Sequence, residues 1–379
     1  RSLKACPCDT LFHVSRGTIG VNKKRNSTTP DSNMENTTSR KPLSLADIEQ
    51  WLDQLGAKMP HKRRLYRAWL NRAEWPSTED ESFPKSVRAA LGELRSVLEG
   101  IATIASRHPG SDPESERLLV TLADGQTVES VLLPRQGVCV STQLGCAVGC
   151  RFCMTGRSGL IRQLSDAEIV AQVARARALH GTTKKVVFMG MGEPSHNLDA
   201  VFGALLFLAD YGDFGHKDLV VSTVGDERLF ERLHASRVKP ALAVSLHTIE
   251  EEKRRHLLPR GTRMSVENLI AAAERWACTC HYPTQYQWTV MEGVNDSPEE
   301  ARELAEKLKG HYAMVNFIPV NTVSDSPYRR GSRESLATLV RVCREAGVIA
   351  TLRDSAAQDV DGGCGQLRAR VLLKKESRV

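Results

Sequence analysis

The chain has 379 residues, 41% of them apolar and 26% charged, with a formal net charge of +7. That length can bury a full core and suits one large α/β domain with a smaller one attached. No uninterrupted apolar stretch approaches the roughly 18 residues that cross a bilayer, so no transmembrane helix and no membrane partner are expected. The positive charge is uneven: residues 1–33 hold six Lys/Arg against two Asp, and residues 40–76 hold eight against four acids. The remainder is about neutral, and a basic N-terminal region on a neutral body suits an anionic partner such as RNA. The ten cysteines are not spaced as a disulfide framework, and a chain of this length needs none. Metal ligation and redox chemistry in a reducing, cytoplasmic setting are expected instead.

Residues 1–33 are polar and basic, without apolar periodicity, and the first methionine is Met34. Residues 1–42 are therefore expected to be a disordered tail or a misplaced start, with no role for Cys6 or Cys8. From Ser44 the pattern turns helical: Leu45, Ile48, Trp51, Leu52 and Leu55 share a face, Gly56 stops it, and Ser44 and Asp47 have capping-box spacing. A basic helix over His61–Asn71 and a third near Lys85–Leu98 complete a small helical domain, residues 43–110. Its Lys62, Arg63, Arg64, Arg67 and Arg72 are candidates for RNA phosphates, whereas Tyr66 and Trp69, spaced i, i+3, are expected in the core. Within residues 111–137, LLVTLADGQTVESVLLP reads as two strands turning at Asp124-Gly125, a hairpin linking two domains.

Short strands then alternate with helices: VCVST (138–142), KKVVFM (184–189), DLVVST (218–223), ALAVSLH (241–247), TQYQWTVM (284–291), MVNFIPV (314–320) and VIATLRD (348–354). One intervening helix opens with the capping pair Ser165 and Glu168. Such repetition implies a parallel sheet, either an open doubly wound one or a barrel. The barrel is preferred because polar groups recur at strand ends, where barrel sites gather. The expected fold is α/β, a partial (β/α)6 TIM-like barrel over residues 138–356, with residues 357–379 as a C-terminal tail.

GCAVGCRFCMTG places Cys146, Cys150 and Cys153 within eight positions after the first barrel strand. Three thiolates in one loop suit a 4Fe-4S cluster that keeps one iron open to an outside ligand. A zinc site with Cys139 as fourth ligand is the alternative, and would make the chain a zinc-stabilised RNA-binding protein. GMGEP (190–194) follows the second strand, and its glycines permit close backbone approach to a ligand.

The C-x3-C-x2-C spacing in this position resembles the radical S-adenosylmethionine superfamily. That resemblance implies that S-adenosylmethionine fills the open iron site and is cleaved to a 5'-deoxyadenosyl radical. It also implies that Gly192 and Glu193 recognise the methionine amino group, with Ser222, Ser245, Leu246, His247 and Asn321 completing the cofactor site.

DVDGGCGQL (359–367) is similar to the tail of the RlmN/Cfr-type radical S-adenosylmethionine RNA methyltransferases, and Cys139 in CVSTQLGC, Glu129 in VESVLLP, SLH and NFIPVN extend the likeness from about residue 118 to 367. The resemblance implies methylation of C2 or C8 of an adenosine in rRNA and possibly tRNA. One S-adenosylmethionine methylates Cys364, the radical takes a hydrogen from that methyl, and the resulting carbon adds to adenine. Glu129 is the implied proton acceptor, and Cys139 resolves the adduct through a transient disulfide with Cys364. The family also implies an electron donor such as flavodoxin or ferredoxin; a monomer is expected. A radical activase or mutase acting on a protein or small molecule keeps the cluster but makes Cys364 incidental. Cys278, Cys280 and Cys343 are expected to be structural.

Overall fold

The computed structural model describes residues 41–321 and 326–354. Three helices come first: α1 (Leu45–Gln54), α2 (Met59–Trp69) and α3 (Lys85–Gly100). The capping box at α1 is formed as expected, with the Asp47 amide donating to Ser44 Oγ at 3.2 Å and the Ser44 amide donating to Asp47 Oδ2 at 2.8 Å. An antiparallel meander follows, β1 (Ala102–Pro109), β2 (Glu116–Leu122) and β3 (Thr127–Leu133). The last two strands are the expected hairpin. The first lies where no strand was expected, because its half-buried positions run Ile104, Ser106, His108 and so carry a weak period-two signal.

From β4 (Gly137–Cys139), antiparallel to β3, the sheet becomes parallel. It continues through β7 (Lys185–Phe188), β8 (Leu219–Thr223), β9 (Ala241–Ser245), β10 (Thr284–Val290), β11 (Ala313–Pro319) and β12 (Ile349–Leu352), in that spatial order. A two-stranded sheet, β5 (Gln143–Gly145) with β6 (Leu160–Gln163), brackets the cysteine loop and the short helix α4 (Met154–Arg157). The connecting helices are α5 (Asp166–His180), α6 (Leu198–Tyr211), α7 (Glu227–Ala235), α8 (Glu251–Leu257), α9 (Val266–Cys280), α10 (Pro298–Leu308) and α11 (Arg333–Glu345). This is the expected α/β partial barrel, with a three-stranded antiparallel extension at the β4 edge. Among the described residues no helix is long and apolar enough to cross a membrane.

One apolar core runs from Ile48, Leu65 and Leu91 of the first helices to Phe188, Val221 and Phe317 of the sheet. Tyr66 and Trp69 are in it, as their spacing suggests: Tyr66 lies 4.9 Å from the Phe207 ring and Trp69 5.7 Å from it. Most of the basic residues named as phosphate candidates are engaged within the chain. Lys62 is buried against Glu49 and Asp53, Arg64 pairs with Asp80, and Arg67 and Arg72 both clasp Asp213. Four of the five charges named for an anion meet the chain's own carboxylates, and of the five Arg63 is the one exposed and outside any ion pair among the described residues.

Ser141, just past β4, ties three segments together. Its amide donates to Gln172 Oε1 at 2.9 Å, and its carbonyl accepts from Gln172 Nε2 at 3.0 Å. Its hydroxyl donates to the Glu129 carbonyl at 2.6 Å and accepts from the Met191 amide at 2.9 Å. All of these groups are buried, so deleting the hydroxyl leaves a donor and an acceptor unmatched in the interior. Ser141→Ala is expected to cost about 2–4 kcal/mol, read as a lowered urea midpoint; a midpoint within error of wild type would refute this account of the junction.

Candidate functional site

Gly145 ends β5 at φ +82°, and a Cβ there would meet the Gly159 carbonyl oxygen at 1.9 Å. Only glycine permits the close strand approach that closes the cysteine loop, with the Cys146 amide donating to that carbonyl at 2.9 Å. Burial pushes the Cys146 thiol up to about 12, and the charges of Cys153 and Glu193 push the same way. Cys150 is raised well above the usual thiol range, again by burial first and then by Cys153, Cys146 and Glu193. The three sulfurs therefore share one electrostatic environment in which thiolates repel one another, a situation that cationic iron relieves. Among the described residues no three His, Cys, Asp or Glu side chains converge on one ion's position. The fit of these cysteines to a cluster rests on their common loop and mutual coupling.

Glu193 stands beside this loop, buried, but its carboxylate also does structural work that the sequence did not disclose. Oε1 accepts from the Ser195 amide at 3.0 Å and from Thr223 Oγ1 at 2.6 Å, and Oε2 accepts from the Val224 amide at 3.0 Å. It thereby stitches the loop after β7 to the end of β8. Gly192 has φ +106°, and a Cβ would lie 2.6 Å from Gln143 Cβ, so the close approach its glycine permits is to the chain itself.

The end of β9 is held by Arg254, which sequence reasoning passed over because arginine in a polar helix reads as solvated. Its buried guanidinium donates to the carbonyls of Val224 at 2.6 Å, Ser245 at 3.1 Å and Leu246 at 3.3 Å. Burial lowers it to about 10, partly offset by the charges of Glu251, Cys150 and Glu193. The Leu246 side chain is fully buried in the apolar core, so it offers a cofactor its backbone alone. His247 adopts φ +64°, fixed by Asn295 Nδ2 donating to its carbonyl at 2.6 Å. Its Nδ1 accepts from the Thr289 amide at 3.0 Å, and its ring meets Phe152 of the cysteine loop edge-on at 4.9 Å. Nε2 therefore carries the proton and is a donor. Ser222 and Ser245 end neighbouring strands, and Asn321 follows β11.

A second group lies deeper on the sheet. Cross-strand register puts Arg117, Val131 and Cys139 in one row, with Glu129 on the same face two positions from Val131. Arg117 Nη1 contacts Glu129 Oε2 at 2.8 Å, both side chains at most 2% exposed. Cys139 is pushed up to about 12 by burial, moderated by the charge of Arg117 and reinforced by that of Glu129. Its charged neighbours are thus the Arg117–Glu129 pair and not the loop cysteines, which removes support from a zinc site with Cys139 as fourth ligand. Arg117 was not anticipated; an arginine on the neighbouring hairpin strand, diagonal to Glu129 on the same face, was the available signal. Cys364 lies outside the described residues.

Residues 140–306 match the radical SAM superfamily. A probable RNA methyltransferase of Azoarcus sp. (strain BH72) is 55% identical over 333 residues, 87% of this chain and 95% of that one. Another, from Pseudomonas aeruginosa PAO1, is 55% identical over 329 residues, 86% of this chain and 94% of its own length. The crystal structure of a radical SAM methyltransferase from Sphaerobacter thermophilus is 35% identical, covers 86% of this chain and 97% of that one, and superposes with a TM-score of 0.75. The chain belongs to the radical S-adenosylmethionine superfamily, in the family of these methyltransferases. That membership implies a 4Fe-4S cluster and S-adenosylmethionine, which the cysteine loop and the polar strand ends fit.

Burial, with a smaller contribution from Arg254, lowers His247 to about 3. Between that value and the ordinary 6.5, the unfolded chain binds a proton that the folded chain refuses, so stability falls as pH drops below about 6.5 and is flat above it. The slope attributable to His247 is at most about 1.4 kcal/mol per pH unit. Urea midpoints between about pH 5.5 and about pH 7 should show a steeper acid loss for wild type than for His247→Gln; equal slopes would overturn the assignment.

Proposed function

We propose that this protein methylates a ring carbon of adenosine, C2 or C8, in rRNA and possibly tRNA, through an S-methylated Cys364. The observation that carries the reading is the buried grouping of Cys139, Glu129 and Arg117 on one face of the sheet, adjacent to the strand that leads into the cysteine loop. A structural cysteine needs no such neighbours; a thiol and a carboxylate that finish a reaction do. The names of the relatives support RNA as substrate, and the similarity of DVDGGCGQL to the family tail supports Cys364 as methyl carrier.

When bound, the cluster and S-adenosylmethionine supply one-electron hydrogen abstraction, fed by a donor such as flavodoxin or ferredoxin. The chain's own groups do the rest. Cys146, Cys150 and Cys153 hold the iron. Gly192, Glu193, Ser222, Ser245, the Leu246 backbone, His247 and Asn321 orient the cofactor. His247, neutral with its proton on Nε2, would donate a hydrogen bond to the cofactor without adding a positive charge of its own. Cys139, held as a thiol at neutral pH, does not compete with Cys364 for the methyl group, since the thiolate is the nucleophile. Glu129 takes the ring proton, and Arg117 keeps its carboxylate in place. Cys139 then resolves the thioether link: its sulfur bonds to that of Cys364 as the Cys364 S–C bond breaks, and its proton passes to the released carbon to complete the methyl group. The one electron left over from the radical addition leaves to an electron acceptor, so that Cys139 and Cys364 end as a disulfide that outside thiols reduce by ordinary exchange. Residues 43–110 and the tail 357–379 serve as accessory segments of a monomeric enzyme.

Peptide mass spectrometry should find a methyl group on Cys364 of protein made with S-adenosylmethionine available, and Cys364→Ala should lose methyladenosine formation in isolated rRNA and tRNA. Glu129→Gln should keep the Cys364 methyl and slow RNA methylation by about 100-fold or more. An unmodified Cys364 that can be changed to Ala without loss of methyladenosine formation would overturn this route, and a Cys364 without a methyl group in an enzyme that changes no RNA nucleoside would favour an activase or mutase. Colourless protein with one tetrahedral metal would replace the cluster by zinc.

A further inference from the structure

Beside the cysteine loop lies a concave pocket of about 580 Å³, lined by Arg254, Arg255, Arg260 and Arg263 with Glu251 as its one carboxylate. Arg254 is committed to strand-end carbonyls, but Arg255, Arg260 and Arg263 are exposed. The arginines that pair with carboxylates among the described residues are all elsewhere. The pocket and the loop form one surface. The Arg260 amide donates to the Val148 carbonyl at 3.0 Å, and the position a Cβ would take on Gly149 lies 3.3 Å from Arg260 Nη2. The exposed Arg151, between Cys150 and Cys153, is tied to the same wall, its amide donating to the Leu257 carbonyl at 3.0 Å and its Nε to the His256 carbonyl at 2.8 Å. Because α8 begins shortly after the end of β9, this surface is part of the rim at the carboxyl ends of the strands.

A nucleotide whose ring carbon reacts inside the barrel is turned out of its stack, and its flanking phosphates stay at the rim. They need guanidinium groups not already engaged, because planar, bidentate donors match phosphate and base edges alone do not anchor a backbone. Of the lysines and arginines on the basic helix α2 only Arg63 is exposed and outside an ion pair among the described residues, and a single guanidinium does not span a phosphodiester segment. We propose that Arg255, Arg260 and Arg263, with Arg151 at their edge, form a phosphate clamp for single-stranded RNA whose target nucleotide enters the barrel. This rests on the reading of the substrate as RNA. A concave, four-arginine pocket suits a phosphodiester segment better than the convex acidic face of an electron carrier, which is the competing anionic partner.

The test uses the reconstituted holoenzyme and a fluorescein-labelled single-stranded oligoadenylate as probe. In Arg255→Gln/Arg260→Gln/Arg263→Gln, binding at about 0.1 M salt should weaken at least tenfold, and the slope of log affinity against log salt should flatten by about two. RNA-independent cleavage of S-adenosylmethionine with dithionite, the iron-sulfur absorbance and the melting temperature should stay at wild-type values, as should RNA binding by Arg341→Gln on α11. If the triple variant does not fold, the single variants carry the test, each flattening the slope by about 0.7. Unchanged affinity and slope in variants of an enzyme that binds RNA would overturn the clamp alone. Wild-type RNA binding, with turnover lost only when flavodoxin replaces dithionite, would overturn it in favour of an electron-donor surface. A wild-type enzyme that neither binds the probe nor methylates RNA would defeat the RNA reading and the clamp with it.

Discussion

The exchange of hydrogen bonds between Ser141 and Gln172 holds the site's parts in register. Gln172, on α5, takes both backbone groups of Ser141 and also accepts from Ser130 Oγ at 2.9 Å. The Ser141 hydroxyl then reaches the Glu129 carbonyl on one side and the Met191 amide on the other. One buried polar knot therefore sets the hairpin that bears Glu129, the strand that bears Cys139 and the loop that bears Glu193. An apolar contact would tolerate a slip of register here; a satisfied hydrogen-bond network does not, because each displaced group would stay buried and unmatched.

At the mouth the same logic uses charge. Arg254 and Glu193 are both buried, and each binds backbone from more than one segment. A guanidinium in the interior is tolerated because its donors meet carbonyls left over at the ends of β8 and β9, groups with no partner in the ladder. The Glu193 carboxylate does the converse for amides of the next loop. Their charges reach the thiols with opposite sign: Glu193 raises Cys146 and Cys150, and Arg254 stands near enough to Cys150 to feel it. Holding strand ends and tuning the cysteine environment are thus functions of the same side chains.

How much of this was legible follows from what a linear pattern can carry. The parallel strands, the capping boxes at Ser44 and Ser165 and the cysteine loop announce themselves through periodicity or spacing, and the structure has them where expected. Strand β1 does not, because a strand with Ser106 and His108 on its half-buried face lacks the apolar alternation that marks one. Ion pairing is also invisible in sequence when partners are far apart: Arg67 and Arg72 meet Asp213 across more than 140 positions, so a basic helix read as a free anion-binding face. Gly192 illustrates a third limit, since its glycine answers to Gln143, 49 residues earlier, as much as to any ligand.

The cysteines show why environment decides where spacing cannot. Cys139 precedes Cys146 by seven residues, close enough in sequence to count as a fourth ligand. Burial raises both thiols to about 12, so their acidity does not separate them. Their neighbours do. Cys146 and Cys150 stand with Cys153 and Glu193, groups whose ionised forms repel one another and which a cation would stabilise as thiolates. Cys139 feels Arg117 and Glu129, which already balance each other at 2.8 Å. A metal placed there would add positive charge to a neutral pair, whereas a protonated thiol adds none. The strand that joins the two positions thus runs from a balanced ion pair suited to thiol chemistry into a loop of clustered thiols that a metal would ionise and hold, within seven residues.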